Sequence, residues 1–199
     1  TDADCDGGRN CPMYGYDDLD TDAWYHDGIH YCIEHGLMVG TGTNIFEPNI
    51  ATSRAMIVTI LWRLENEPVC GQGKSGTFAD VPEYQWYTEA VEWAAANGIV
   101  CGYGDAQQSF GPNDAITREQ LATMLHRYVG APDSDHDISG FSDHAETSDW
   151  ALTAKKWAVE MGVINGNPDG TLNPGGDAIR AEVAQMLMNF IKAMTAKKG

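Results

Sequence analysis

Phe78-Ala-Asp80, Trp86-Tyr87, Asn97-Gly-Ile-Val-Cys-Gly-Tyr103, Phe110-Gly-Pro112 and Ile116-Thr-Arg-Glu-Gln120 form an ordered series that the chain spells three times. In the first copy Trp24 is followed by Gly36, Gly40, Pro48 and Arg54; in the third, Trp150 is followed by Gly162, Gly166, Pro174 and Arg180. The steps from Trp to the two glycines are 12 and 16 in all three copies, and the Trp-to-Arg step is 30, 32 and 30. A tandem repeat of this length settles the architecture before any single residue is weighed. Indels are confined to the loops.

Each copy reads as two helices. The first runs from about Trp24, Trp86 and Trp150 to just before Gly36, Gly98 and Gly162, with a second aromatic, Tyr31, Trp93 or Trp157, seven residues on. That spacing returns to the same helical face after two turns. Small residues such as Ala90, Ala94, Ala154 and Ala158 would let a neighbouring element approach closely, and the glycine supplies a left-handed cap. On this reading the Trp residues are mainly core residues with partial exposure.

The second helix starts near Ser53, Thr117 and Ile179. Thr117 and Gln120 make a capping box, Ser53 keeps the hydroxyl, and in the third copy Asp177 is expected to cap one register earlier. Beyond the Arg, places +3, +6, +7 and +10 hold Ile57, Ile60, Leu61 and Leu64, then Leu121, Met124, Leu125 and Tyr128, then Val183, Met186, Leu187 and Phe190. This stripe marks a helix buried on one face, and three of them imply a three-helix centre. The fold class is therefore all-α. The division expected is a head over residues 1–13 and repeats over 14–70, 71–132 and 133–199.

Composition bounds the function. With 29 acidic and 12 basic residues among 199, the formal charge of −17 excludes a general nucleic-acid-binding field. An anionic ligand needs a local basic site. No apolar run approaches the roughly 18 residues of a membrane span. Cys5 and Cys11 enclose a short Gly-containing loop in the head, which reads as a disulfide in an exported protein, while Cys32 and Cys101 occupy packing positions.

These motifs resemble the S-layer homology repeat, the cell-wall anchoring module of many bacterial surface proteins, over about Tyr16 to Met194. The resemblance implies a pseudo-threefold spindle of helix-loop-helix repeats, with the second helices as a central three-helix bundle and grooves between neighbouring repeats. It further implies binding of secondary cell-wall polysaccharide attached to peptidoglycan, commonly pyruvylated, at the cell surface. The module is usually one end of a longer polypeptide with a cargo domain. The ligand-binding residues implied are Arg54, Arg118 and Arg180, Trp24, Trp86 and Trp150, and the backbone at Gly40, Gly102 and Gly166, with Asp18, Asp80 and Asp143 as further candidates. The three Asp residues also fit a structural role tying down the entry loops. An Arg at a helix N-terminus offers a carboxylate a fork of donors and the positive end of the dipole. The family pattern usually has Glu where repeats 1 and 2 carry Met56 and Gln120, so the grooves should differ. The aromatic loop residues Tyr103 and Phe110 and the Thr117 cap lead to the expectation that Arg118 contributes more than Arg180.

Other motifs fail. Asp2-Ala-Asp4-Cys-Asp6-Gly7 opens like a calcium loop but has Met13 at its twelfth place, and no metal or cofactor is expected. No paired-carboxylate, His-Glu-x-x-His or Gly-x-Ser-x-Gly arrangement stands out, so no catalytic residue is assigned. The alternative to a glycan anchor is a protein-interaction or assembly module of a surface protein.

Overall fold

The two periodic segments of each repeat become two helices. The structure, a computed structural model, describes residues 5, 8, 10–70 and 72–196. The carboxylates of Asp2, Asp4 and Asp6 in the calcium-like stretch lie outside the described residues. The α-helices are α1 (His26–Glu34), α2 (Arg54–Leu64), α3 (Thr88–Ala96), α4 (Arg118–Tyr128), α5 (Leu152–Glu160) and α6 (Arg180–Ala196). Among the described residues the only β-type pairing is a handful of isolated bridges.

The first helices stop where glycine permits it. Gly36, Gly98 and Gly162 have φ of 65°, 69° and 67°, and the residue after each donates back five positions, Leu37 N to Cys32 O, Ile99 N to Ala94 O and Val163 N to Ala158 O, all at 2.8 Å. That is the Schellman closure, which satisfies carbonyls the helix end would otherwise orphan. Their starts lie later than the sequence suggested. Trp24 and Trp86 stand in the turn before α1 and α3, and Trp150 in a short 3-10 turn, Asp149–Ala151, before α5. Because the Trp lies outside the helix, the seven-residue spacing no longer holds it on the face of Tyr31, Trp93 and Trp157. Those three are buried while the leading Trp residues are 56–62% exposed, which corrects the expectation of core packing.

Capping explains the starts of the second helices. Ser53 Oγ accepts from Met56 N, and Thr117 with Gln120 completes both halves of a capping box. In the third repeat Glu182 Oε2 accepts from Ile179 N at 3.1 Å, the return half of such a box.

Helix pairing crosses repeat boundaries. α2 packs on α3, α4 on α5, and α6 returns to α1. Small residues set the closeness: a Cβ on Gly28 would lie 2.7 Å from the backbone of Gln185, so α1 and α6 touch through bare main chain. The segments preceding the second helices also join across the repeats. Thr52 N donates to Ala178 O, Ala178 N to Ile116 O and Ile116 N to Thr52 O, at 2.8–2.9 Å, a ring of three backbone bonds. Around it, Arg54 N, Arg118 N and Arg180 N donate to Asp114 O, Gly176 O and Ile50 O. Each repeat thus depends on the next, and the third on the first.

The stripes of the second helices are buried in one hydrophobic core, with Leu64 and Tyr128 partly covered at its margin. The C-terminal ends of α2 and α4 meet the middle of α6 where Tyr128 stacks edge-on to Phe190 at 5.8 Å and donates to Glu65 Oε1 at 2.5 Å.

Candidate functional site

Two grooves are built to one plan, each from three repeats. The first, about 310 Å³, brings together Arg54 of repeat 1, Gly102 and Tyr103 with the α4 face of repeat 2, and Trp150 of repeat 3. The second, about 370 Å³, brings together Arg118 of repeat 2, Gly166 with the α6 face of repeat 3, and Trp24 of repeat 1. Four of the six Arg and Trp residues expected in ligand binding therefore line grooves, in combinations no single repeat contains.

The arginines share one anchoring bond and differ in their second. Arg54 Nε donates to Phe110 O at 2.8 Å, Arg118 Nε to Leu172 O at 2.9 Å and Arg180 Nε to Phe46 O at 2.9 Å. All three are at most 5% exposed, so these bonds replace water on an otherwise costly buried cation. The second partner is the third residue of the next repeat's second helix. Arg54 Nη1 donates to the neutral Gln120 amide at 3.2 Å, whereas Arg118 Nη1 pairs with the Glu182 carboxylate at 2.9 Å. Repeat 1 offers only Met56 at that place, and Arg180 Nη2 turns to Val39 O at 2.7 Å.

Aromatic rings complete the contrast. The Arg54 guanidinium lies 4.6 Å from the Tyr103 centroid and 4.9 Å from that of Phe110, and Arg180 lies 4.5 Å from Phe46. Tyr103 and Phe110 thus serve Arg54 and not Arg118, which removes the aromatic part of the ground for ranking Arg118 above Arg180. The first groove carries two cations, Arg54 and Arg127, and no carboxylate among its lining residues. The second has its cation paired; its remaining polar side chains are the amides of Asn165, Asn167, Gln185 and Asn189, set among the apolar Val163, Ile164 and Met186.

The glycines and aspartates have structural duties. A Cβ on Gly40, Gly102 or Gly166 would come within 2.4–2.7 Å of Tyr16, Phe78 or Phe141, the aromatic that opens the same repeat. Asp18 accepts from Phe46 N and Glu47 N, Asp80 from Phe110 N and Gly111 N, and Asp143 from Leu172 N and Asn173 N. Both carboxylate oxygens of each Asp are spent on the loop that carries the Arg-accepting carbonyl, and none of the three lines either groove. They position the arginines indirectly.

Residues 15–55, 77–122 and 140–184 match the S-layer homology domain. The chain belongs to the S-layer homology domain family. It is 32% identical over 175 residues to an amylopullulanase of Thermoanaerobacterium thermosulfurigenes, covering 86% of this chain and 9% of that protein. It is 30% identical over 177 residues to the S-layer protein sap of Bacillus anthracis, covering 86% of this chain and 20% of that protein. An exoglucanase XynX of Acetivibrio thermocellus is 29% identical over 175 residues, 86% of this chain and 16% of the relative. The chain thus spans a fifth or less of the length of these relatives. As an S-layer homology module it is a cell-wall anchoring unit of the bacterial cell surface.

Two features of this S-layer homology module went unread in the sequence. Lys155 is fully buried on α5 where the other repeats have Ile29 and Val91, and its Nζ has no hydrogen-bond partner. Burial, reinforced by Arg118, pushes its ammonium down to about 8. The second concerns the head. Cys5 and Cys11 are free thiols, not the expected disulfide, and Cys11 Sγ faces His26 Nε2 at 3.6 Å and His30 Nδ1 at 3.5 Å. The i, i+4 spacing of His26 and His30 was visible, but nothing in the spacing tied it to a cysteine fifteen residues away.

Proposed function

We propose that this module is a non-catalytic anchor that binds secondary cell-wall polysaccharide, and that the groove at Arg54 takes its anionic substituent, a pyruvyl carboxylate or a group of like charge. The observation that carries this reading is the first groove itself: a guanidinium flanked by Tyr103, a second cation at Arg127, an exposed Trp150 and no lining carboxylate. A compact anion gains a charge-assisted bond from the guanidinium, while the apolar C–H face of a sugar ring packs against indole. The Arg118 groove, already neutralised by Glu182, suits hydroxyl and acetamido groups instead. The further domains of the longer polypeptide would be held at the wall by this contact.

Calorimetry with purified wall polysaccharide tests the assignment. Loss of one charge-assisted contact costs about 1.5–3 kcal/mol, so Arg54→Ala should weaken binding roughly 10- to 100-fold, and Arg118→Ala less. Arg54→Lys should recover part of the loss because charge remains while the fork is gone. On depyruvylated glycan the Arg54 effect should shrink. Equal binding of both glycans, or Arg118→Ala as the more damaging change, would refute the assignment.

A further inference from the structure

We propose that Cys5, Cys11, His26 and His30 form a four-ligand zinc site that fastens the head of the module to α1. One ligand atom from each residue lies within 4.8 Å of all the others. Two thiolates and two imidazoles are the donor set of structural zinc, with Zn–S near 2.3 Å and Zn–N near 2.0–2.1 Å. Those bond lengths and a tetrahedral angle require S···N edges of about 3.6 Å. The edges from Cys11 Sγ to the two imidazoles are 3.6 and 3.5 Å, so Cys11 already stands at tetrahedral spacing from both. The remaining edges, all within 4.8 Å, need contract by little more than about 1 Å to close the site.

The surroundings match what zinc needs in its second layer. His30 presents Nδ1 to the sulfur, while its Nε2 lies 3.5 Å from Glu34 Oε2. A proton on Nε2 shared with that carboxylate leaves the Nδ1 lone pair free for metal and holds the ring in place, as ligating histidines require. Cys11 is turned inward by the bond from its own amide to Gly8 O at 2.8 Å, and Met13 behind it is buried. Binding would release one proton from each thiol, so the 2+ ion and two thiolates leave the partly buried site neutral. Soft sulfur with imidazole selects zinc over the oxygen-seeking calcium or magnesium.

The competing use of the two sulfurs is a Cys5–Cys11 disulfide, which would remove both thiolate ligands. The whole chain, purified under reduction and stripped with chelator, is titrated with zinc against a chromophoric chelator and separately with cobalt(II). One metal per chain is expected, with the visible bands of tetrahedral cobalt and a thiolate-to-cobalt charge-transfer band. Glu34→Gln should lower zinc affinity about 10- to 100-fold, and Cys11→Ser or His26→Gln by more, with helical circular dichroism retained because α6 still holds α1. Cys70→Ser with Cys101→Ser should bind as the parent does. Absence of a tetrahedral cobalt spectrum, zinc binding indifferent to Cys11 and His26, or a Cys5–Cys11 disulfide in the protein as exported would each overturn the site.

Discussion

Replacing Lys155 by Met should make the protein more stable at neutral pH, because the lysine is buried without a hydrogen-bond partner at a place the other two repeats fill with aliphatic side chains. Its counterparts Ile29 and Val91 are fully buried, and Lys155 itself is 0% exposed with an unpartnered Nζ. Glu119 and Asp143 favour the ammonium, yet burial and Arg118 outweigh them and bring it from 10.5 to about 8. A base whose folded value lies below its unfolded one binds fewer protons when folded. It therefore opposes folding at pH 7, and stability should rise as pH climbs from about 8 towards 10.5. At 1.36 kcal/mol per unit the 2.5-unit gap corresponds to about 3 kcal/mol at most. Allowing for imperfect repacking of Met, about 1–3 kcal/mol should be recovered at pH 7. For a domain of this size that is roughly 2–10 °C in Tm. Thermal melts of parent and Lys155→Met at pH 7 and pH 10 check it: the variant should lead at pH 7 and the gap should narrow at pH 10. A variant less stable than the parent at pH 7, with a gap independent of pH, would show that the ammonium is well satisfied and the reasoning wrong.

Gly28→Ala should destabilise by about 1–3 kcal/mol, since its Cβ meets the Gln185 backbone at 2.7 Å and one helix must move outward. The opposite result in denaturant titration, a gain approaching the roughly 1 kcal/mol helix advantage of Ala, would mean that the α1–α6 contact is slack. Truncation after Pro132 removes α5 and α6, leaving α4 and α1 without their partners. The fragment should aggregate or bind a hydrophobic dye without a sharp transition, and a cooperative melt near that of the full chain would refute mutual dependence of the repeats.

The sequence by itself determined the elements. Helix stripes, glycine caps and the Thr117–Gln120 box depend on residues within a few positions of one another, so spacing alone reveals them. It also determined that Arg and Trp recur as a set. Only the tertiary structure decided which copies meet. Three repeats with the same spacing are interchangeable by pattern, and nothing in the order Trp, Gly, Arg says that Arg54 faces Tyr103 and Trp150 rather than the loop and Trp of its own repeat. The same long-range closure decided that Gln120 leaves Arg54 without a carboxylate partner while Glu182 neutralises Arg118. It also buried Lys155 without a hydrogen-bond partner and folded Cys5 and Cys11 onto the two histidines of α1. Those outcomes depend on packing between segments distant in sequence, where a difference of one side chain sets charge and burial and leaves the periodic pattern unchanged.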